Sequence, residues 1–255
     1  MSENGNGLIK SVQKSLIILK YIINSPGEVS LIDLENNLGY NSSTMHHLLK
    51  TLIHEGLISQ DASNKKYGLG PELFQFWLNN QQPQKFFNKA YPYLEECVRT
   101  TGETTNMFIR VENEAICIIG SESPQTLKAF LMIGRRVPLT CTAVGKVFLA
   151  FMPEPEVRDL IKKTGLPQYL PNTITDVDML LDDLRKTRER GYSIEREEYE
   201  VMITAVAAPV FDDHGNITAA ISNIVPSIRS DDDKIEKNAE ALTQTAGQIS
   251  KALIL

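Results

Sequence analysis

Apolar residues recur with a helical period in the first part of the chain. Residues 11–25 carry such a stripe, and Pro26-Gly27 is expected to end the helix. The motif Ser30-Leu-Ile-Asp33 has the form of a capping box, so a second short helix is predicted to begin there. The apolar positions of these two helices are expected to face the core; they are Val12, Leu16, Leu19, Ile22, Ile23, Leu31, Leu34 and Leu38.

A third helix is predicted over residues 42–54, after a turn at residues 39–41. One face of this helix carries hydroxyl, imidazole and lysine groups, and the opposite face is apolar. Ser42 is expected to cap its N-terminus, and Gly56 is expected to end it. The residues of the apolar face are Met45, Leu48, Leu49, Leu52 and Ile53.

Two strand-like pieces at residues 57–60 and 65–69 flank a turn-rich tetrapeptide, which predicts a β-hairpin. Helix, helix, turn, helix and hairpin together describe a winged helix-turn-helix. A short helix with polar groups at its open N-terminal end suits insertion into the major groove of DNA. The alternative interpretation is a small helical domain that only mediates protein contacts.

The rest of the chain mixes helical and strand-like segments. A connecting helix is predicted over residues 72–78, and the polar break at 79–84 is taken as the domain boundary. Strands are predicted at 104–111, 115–122, 127–131, 204–211 and 217–224, and helices at 86–101, 143–151, 176–190 and after the cap 230–233. Hairpins bracketed by helices indicate an α+β fold with an antiparallel sheet.

Composition and charge narrow the class of protein. The chain has 255 residues, of which 42% are apolar and 23% charged, as in globular proteins. No apolar run approaches the ~18–20 residues of a membrane span, and no signal peptide is recognisable, so a cytoplasmic location without membrane contact is expected. The net charge of −6 falls entirely after residue 71, because six lysines balance six acidic residues before it. A neutral DNA-binding domain should show only modest salt-sensitive, non-specific binding.

Catalytic chemistry is not indicated. Cys97, Cys117 and Cys141 are too few and too far apart for a disulfide framework or a zinc site. Cys117 is expected to pack in a strand, whereas Cys141 would equally line a cavity or fill space. The acidic run of residues 195–200 is interpreted as a solvated loop in preference to paired catalytic carboxylates or metal ligands. We therefore expect no catalytic residue, no metal and no cofactor.

One segment favours a ligand. Residues 137–146 run from extended chain into a helix that Thr142 is expected to cap. The backbone N–H groups of Ala143, Val144 and Gly145 at the start of this helix are free to form an anion site. The alternative is an ordinary Thr-capped helix without a ligand.

Several stretches, taken together and in order, resemble the IclR (isocitrate lyase regulator) family of bacterial transcription factors. They are residues 11–19, 43–52, 66–71, 134–139, 142–150, 190–192, 197–198 and 207–212. The resemblance covers residues 8 to 255. It implies a winged helix-turn-helix, a linker helix and a GAF-like effector-binding domain with an antiparallel sheet. It also implies homodimers formed through the DNA-binding domains and often tetramers formed through the effector-binding domains.

The predicted organisation follows this resemblance: a disordered tail at 1–7, a winged helix-turn-helix DNA-binding domain at 8–71, a linker helix and polar break at 72–84, and an effector-binding domain at 85–255. Residues expected in the groove of double-stranded DNA are Ser43, Thr44, His46 and His47, and those expected at phosphates are Ser42, Lys50, Lys65 and Lys66. The resemblance also implies an effector pocket lined by Val137, Ala143, Val144, Glu195, Ala205, Ser222 and Ile224.

The chain departs from the family at two DNA-binding positions. The family commonly has a basic residue in place of Ser42 and an arginine in place of His47, whose imidazole would make DNA binding pH-dependent. In the pocket, no cationic side chain is placed to pair a carboxylate, and Glu195 would repel one unless it accepts a ligand hydroxyl or points away. A hydroxylated or keto acid, held by backbone N–H groups and Ser222, is therefore the hypothesis for the effector.

The prediction for the whole chain is a small-molecule-responsive regulator of a catabolic or metabolic operon, a repressor rather than an activator, bound to a near-palindromic operator. A metabolic enzyme with an accessory helix-turn-helix and a protein-binding adaptor are the alternatives.

Overall fold

The computed structural model describes residues 8–79, 81–130 and 132–254, so the predicted tail at 1–7 lies outside the described residues. The chain divides into two compact units, the first ending at Pro83 and the second beginning at Gln84. None of the described helices combines the length and the apolar character that a membrane span requires.

The first unit is a helix-turn-helix followed by a hairpin. Its elements are α1 (Lys10–Ile23), α2 (Leu31–Leu38), α3 (Ser42–His54), β1 (Ile58–Gln60), β2 (Tyr67–Leu69) and α4 (Pro71–Asn79). The predicted capping box is confirmed, because Ser30 and Asp33 bond reciprocally at the start of α2. Val29 exchanges two backbone hydrogen bonds with Tyr67, of 2.9 and 2.8 Å, which attach the hairpin to the chain between α1 and α2.

The buried face of α1 differs from the prediction. Leu19 and Ile22 are buried as expected, but Val12, Leu16 and Ile23 are each about half exposed. This helix is apolar on two sides, and helical periodicity does not tell which side packs within the chain. The side that carries Ile18, Leu19 and Ile22 faces the core, and the other side is left open.

The start of α3 is also shifted by one residue. Asn41 is the cap, because its Oδ1 accepts the N–H of Thr44 at 2.8 Å, and Ser42 is the first helical residue. Gly56 follows the end of α3 with a φ of 66°, in the left-handed region that suits glycine. Four of the five predicted apolar positions of α3 are buried, whereas Ile53 is 37% exposed.

The second unit is a six-stranded antiparallel sheet between two layers of helices, in the order β5-β4-β3-β8-β7-β6. Its strands are β3 (Thr104–Val111), β4 (Glu114–Ser121), β5 (Arg136–Pro138), β6 (Ser193–Arg196), β7 (Ile203–Phe211) and β8 (Ile217–Pro226). Its helices are α5 (Gln81–Thr101), α6 (Ala143–Ala150), α7 (Glu154–Thr164), α8 (Val177–Arg190) and α9 (Asp232–Ile254). Helices α5 and α9 pack on one face of the sheet, and α6 to α8 on the other. The predicted α+β class is correct.

Several elements of this unit match the sequence prediction. The β7–β8 hairpin forms around the turn at 212–216, where Asp212 accepts backbone N–H groups from His214 and Asn216. Helix α8 is capped by Asp176 and ends at Gly191, whose φ is 80°.

Other elements differ. Residues 127–130 form no strand, because the edge of β4 that they would need is paired with β5, Ala115 lying opposite Val137; Leu131 lies outside the described residues. Helix α5 begins at Gln81, so the predicted polar break is helical from that residue onward, and Asn80 lies outside the described residues. Helix α7 has no counterpart in the prediction. The start of α9 agrees with the prediction of a cap within residues 230–233, because Asp231 accepts the N–H of Lys234.

Candidate nucleic-acid interface and ligand cavity

The polar face of α3 is open to solvent. Ser42, Ser43, His46, His47 and Lys50 are all exposed, because the opposite face of the helix is held in the core of the first unit. Thr44 is partly buried, and its backbone N–H is taken by Asn41. Seven of the eight predicted DNA-binding residues, counting the two lysines of the hairpin, thus have exposed side chains.

The hairpin of β1 and β2, called the wing from here on, is built around Asp61. Its Oδ1 accepts the backbone N–H groups of Ser63 (2.7 Å) and Asn64 (3.0 Å), which closes the turn. Lys65 and Lys66 follow this turn with exposed side chains, Lys65 at a φ of 60°. The turn therefore presents two cations on the surface of the same unit as α3.

A cavity that is partly open to solvent lies in the second unit between the sheet and the N-terminal end of α6. Seven of the residues predicted for the pocket line it: Val137, Ala143, Val144, Glu195, Ala205, Ser222 and Ile224. Five others that were not predicted also line it: Phe108, Thr142, Tyr199, Glu200 and Ile203. Gly145 is not among the lining residues.

Small side chains on the sheet leave room for this cavity. Ser193, Ala207, Ser222, Asn106 and Gly120 are direct partners on successive strands from β6 to β4. Directly opposed residues share one face of an antiparallel sheet, and the Oγ of Ser193 on that face donates to the carbonyl of Ala143 in α6 at 2.6 Å. Four of the five positions in this row have side chains no larger than serine, and one of them, Ser222, lines the cavity.

The hydrogen bonds at the start of α6 differ from those expected for the predicted anion site. The N–H of Gly145 is not free, because it donates to the Oγ1 of Thr142 at 3.2 Å. No described group accepts a hydrogen bond from the N–H groups of Ala143 and Val144, which line the cavity. Gly145 is needed for a different reason: a Cβ at this position would collide with the backbone of Leu139, on which the helix lies closely. Two N–H donors thus remain for a ligand.

Glu195 is the buried acid of the cavity. Its side chain is only 3% exposed, and its Oε1 accepts the N–H groups of Glu198 (2.7 Å) and Tyr199 (3.3 Å). Burial raises the pKa of this carboxyl group to about 7, although the two N–H groups act in the opposite direction. The group is therefore close to half protonated at neutral pH.

The acidic run of residues 195–200 was predicted to be a solvated loop, and this prediction is wrong. Glu195 lies in β6, and Glu198 forms a buried ion pair with Lys146 of α6. Lys146 is 1% exposed and also lies 3.0 Å from Asp183 of α8. Burial raises the pKa of Glu198, and the lysine counteracts this. Within the described residues no group of three side chains is arranged to hold a metal ion.

An ion pair at the rim of the cavity joins two irregular segments. Glu200, which lines the cavity, accepts from the guanidinium of Arg135, just before β5. Both side chains are more than a third exposed, so water screens this pair and its contribution to stability is small.

Two further polar groups face the cavity side of the sheet without a partner. The Oγ of Ser222 makes no hydrogen bond to any described residue, although Ser222 is 2% exposed and lines the cavity. The Nδ2 of Asn106, on the neighbouring strand directly opposite Ser222, is buried and equally unpaired among these residues. Asn106 was not predicted, because the sequence does not show that it lies opposite Ser222.

The cysteines and histidines do not add reactive groups to the cavity. All three cysteines are buried free thiols, and burial raises the pKa of Cys117 to about 11 and that of Cys141 to about 12. Cys117 packs in β4 as predicted, and Cys141 is not among the lining residues, so it fills space. The four histidines belong to α3 and to the turn after β7. The cavity offers hydrogen bonds to a bound molecule rather than a nucleophile and its base.

Comparison with known proteins is consistent over the whole chain. A family model described as the bacterial transcriptional regulator IclR C-terminal matches residues 81–251, and the IclR helix-turn-helix domain model matches residues 11–62. The HTH-type transcriptional repressor AllR of Escherichia coli (strain K12) is 32% identical over 244 residues, which cover 96% of this chain and 90% of AllR.

Solved structures have the same fold. The IclR of Thermotoga maritima is 29% identical, with a TM-score of 0.74 over 96% of this chain and 99% of that one. An IclR homologue from Microbacterium hydrocarbonoxydans, crystallised with 4-hydroxybenzoate, has a TM-score of 0.85 over 95% of this chain and 98% of that one. It is 22% identical to this chain and so supports the fold alone.

Proposed function

The chain belongs to the IclR family of bacterial transcriptional regulators, and from this premise we propose that it is a repressor whose first unit binds an operator and whose second unit binds a small organic acid. The family and its relatives make the chain a DNA-binding transcriptional regulator with an effector-binding domain, not an enzyme. Such a protein acts where the chromosome is, in the cytoplasm.

The observation that carries the proposal for DNA is the orientation of α3. Its apolar face is buried in the core, so the face that carries Ser43, His46 and His47 is presented outward at the N-terminal end of the helix. A recognition helix reads base edges with its N-terminal residues. Lys50, Lys65 and Lys66 lie further along α3 and on the wing, and we assign them, together with Ser42, to phosphates.

Pairing of two chains is supported by α1. Leu8, Ile9, Val12, Leu16 and Ile23 are between 46% and 68% exposed, and the last four follow one another at spacings of three, four and seven residues. This is the seam spacing of helices that pack in parallel or antiparallel pairs, and such an exposed apolar stripe marks a protein interface. A dimer of this kind meets two half-sites about 34 Å apart on a near-palindromic operator.

The effector proposal rests on the cavity. A cavity with mostly apolar walls and a few convergent polar groups is typical of small-molecule sites. The N–H groups of Ala143 and Val144 at the start of α6 suit a carboxylate, and Ser222 suits a hydroxyl or keto oxygen. Binding alters DNA affinity by favouring one arrangement of the oligomer, and we propose the linker residues 72–78 as the connection.

DNA binding is tested with Lys50→Ala and the matched variant Lys237→Ala, which removes an exposed lysine from α9 in the second unit. The DNA is the promoter region upstream of the gene, in fluorescence anisotropy at several salt concentrations. Loss of a phosphate contact should weaken binding to all sequences alike and reduce the salt slope by about 1. Lys237→Ala should bind as the unchanged chain does. Equal effects of both substitutions, or no binding of promoter DNA at low salt, would refute the assignment.

A further inference from the structure

An organic acid in this cavity meets an electrostatic conflict. Two glutamates, Glu195 and Glu200, line the cavity, and no lysine or arginine is among its lining residues. Arg135 is paired with Glu200 at the rim, and Lys146, whose charge acts on Glu195, is buried against Glu198 and Asp183. A carboxylate ligand bound at the N–H groups of α6 would therefore lie in the same cavity as the buried carboxylate of Glu195, which is unfavourable unless one of the two is neutral.

The geometry of Glu195 offers a way to remove this conflict. One oxygen, Oε1, is held by the N–H groups of Glu198 and Tyr199, which fixes the orientation of the carboxyl group. No described group bonds to the other oxygen, Oε2, and the residue is 97% buried at the cavity wall. A proton on Oε2 has no described acceptor in the protein and is available for donation to an oxygen of a ligand in the cavity.

We propose that the cavity takes up its acidic effector together with one proton, which resides on Glu195 and makes its carboxyl group a hydrogen-bond donor to the ligand. This inference rests on the proposed effector site and specifies how that site recognises an anion. The two backbone N–H groups of α6 bind one part of the ligand, and the protonated Glu195 and the unpaired hydroxyl of Ser222 bind the rest.

The surroundings of Glu195 support this assignment. The charged or titratable groups that face it are Lys146 from α6, Cys141 before that helix, and Glu198, Tyr199 and Glu200 from the segment after β6. The charge of Glu198 favours the neutral form of Glu195, and the charge of Lys146 opposes it. Burial is the largest influence and raises the pKa to about 7, so the proton is available near neutrality at little cost.

The pH dependence has a definite sign. Above pH 7 Glu195 must be protonated before an anion can bind, so the affinity for an acid should fall by about tenfold for each pH unit. If Glu195 instead stays ionised and accepts hydrogen bonds from a neutral or cationic ligand, affinity should rise with pH over the same range. The direction of the change therefore separates the two modes of recognition.

The experiment uses isothermal titration calorimetry of the full chain with four probes, namely glycolate, lactate, pyruvate and 4-hydroxybenzoate, between pH 6 and 9. Titrations at pH 8 in phosphate and in Tris, whose ionisation enthalpies differ, give the number of protons taken up. We expect uptake of close to one proton for the unchanged chain. For Glu195→Gln, which imitates the neutral acid, we expect none and an affinity that is independent of pH. Glu156→Gln, at an exposed position of α7, is the matched control and should behave as the unchanged chain does.

Three outcomes would overturn the inference: binding without proton uptake, affinity that rises with pH, or no binding of any probe by either the unchanged chain or Glu195→Gln at pH 6. Binding of promoter DNA is measured on the same preparations. If DNA binds and the acids do not, the inference fails while the regulator proposal stands. If the acids bind with uptake of a proton and the DNA does not bind, the inference stands while the regulator proposal fails.

Discussion

At the scale of single residues, Glu195 couples the stability of the second unit to pH. Its carboxyl group titrates near 4.5 in an unfolded chain and at about 7 in the fold, so the folded state holds the extra proton between these values. Stability from this group is fully present below pH 4.5 and is lost as the pH rises to 7. At pH 8 the buried charge destabilises the fold by on the order of 3 kcal/mol, at about 1.36 kcal/mol per pKa unit.

Glu195→Gln should therefore stabilise the chain at pH 8 and change little at pH 4.5. The amide oxygen retains the two backbone hydrogen bonds but carries no charge. Thermal unfolding of the full chain, followed by circular dichroism at both pH values, gives the two differences. Equal differences at the two pH values would show that Glu195 is not buried in its charged form.

Ser222 makes a contrasting case, because its hydroxyl has no described partner in the protein. Ser222→Ala should change the free energy of unfolding by less than about 0.5 kcal/mol, since no intramolecular hydrogen bond is lost. Affinity for a hydroxylated or keto acid should fall by roughly tenfold, the value of one hydrogen bond to a bound ligand. Calorimetry and thermal unfolding of the same variant provide the two measurements, and a large loss of stability would contradict the prediction.

Some of these residues could be predicted from local sequence, and the surroundings of others could not. Ala143 and Val144 were predicted from the cap of a helix, which is local information. The burial of Glu198 depends on its ion pair with Lys146, about fifty positions earlier, and that of Glu195 depends on the register of β6 against β7. A block of like charges in a sequence predicts a solvated segment, because the sequence alone does not show which distant residues pack against it. Asn106 was overlooked for the same reason, because its importance arises from the residue opposite it on β8.

At the scale of elements, the position of α6 depends on one glycine. Gly145→Ala would place a methyl group against the backbone of Leu139, so the helix or the preceding segment must move. We expect a loss of about 1–3 kcal/mol, the usual cost of forcing extra atoms into a packed site. Weaker effector binding should accompany it, since the N–H groups of Ala143 and Val144 shift with the helix.

The matched control is Gly247→Ala in α9, where the added methyl group meets nothing within 4 Å. Alanine is favoured over glycine in a helix interior by roughly 1 kcal/mol, so this substitution should stabilise the chain. Chemical denaturation of both variants gives the two changes. Opposite signs are expected, and a neutral Gly145→Ala would show that α6 has room to spare.

Elements with local signals were predicted well. Caps and glycine ends located α2 and α8, and a turn-rich pentapeptide located the β7–β8 hairpin. The predicted strand at 127–131 is absent over residues 127–130, because a strand also needs a free edge and β5 occupies the edge beside β4. The prediction of the buried face of α1 was partly wrong because the helix is apolar on two sides, and only tertiary packing determines which side is buried.

At the scale of the whole molecule, the open side of α1 should control assembly. Replacing both Val12 and Leu16 by glutamate introduces charges into the proposed interface, where their desolvation is unfavourable. Sedimentation velocity should show a shift to a lower oligomeric state, and promoter affinity should fall because two half-sites are no longer bound together. Met179→Glu, at a residue 63% exposed on α8, is the matched control and should change neither. An unchanged oligomeric state in the double variant would remove α1 from the interface.

The small side chains beneath α6 have an evolutionary consequence. Ala205 and Ser222, whose side chains are small, line the cavity on strands whose backbone pairing does not depend on those side chains. Adding or trimming a methyl group there reshapes the chamber and leaves the helix, its cap and the DNA-reading surface intact. Single substitutions at these positions can therefore change which effector the protein binds during evolution. The promoters that the protein recognises stay the same.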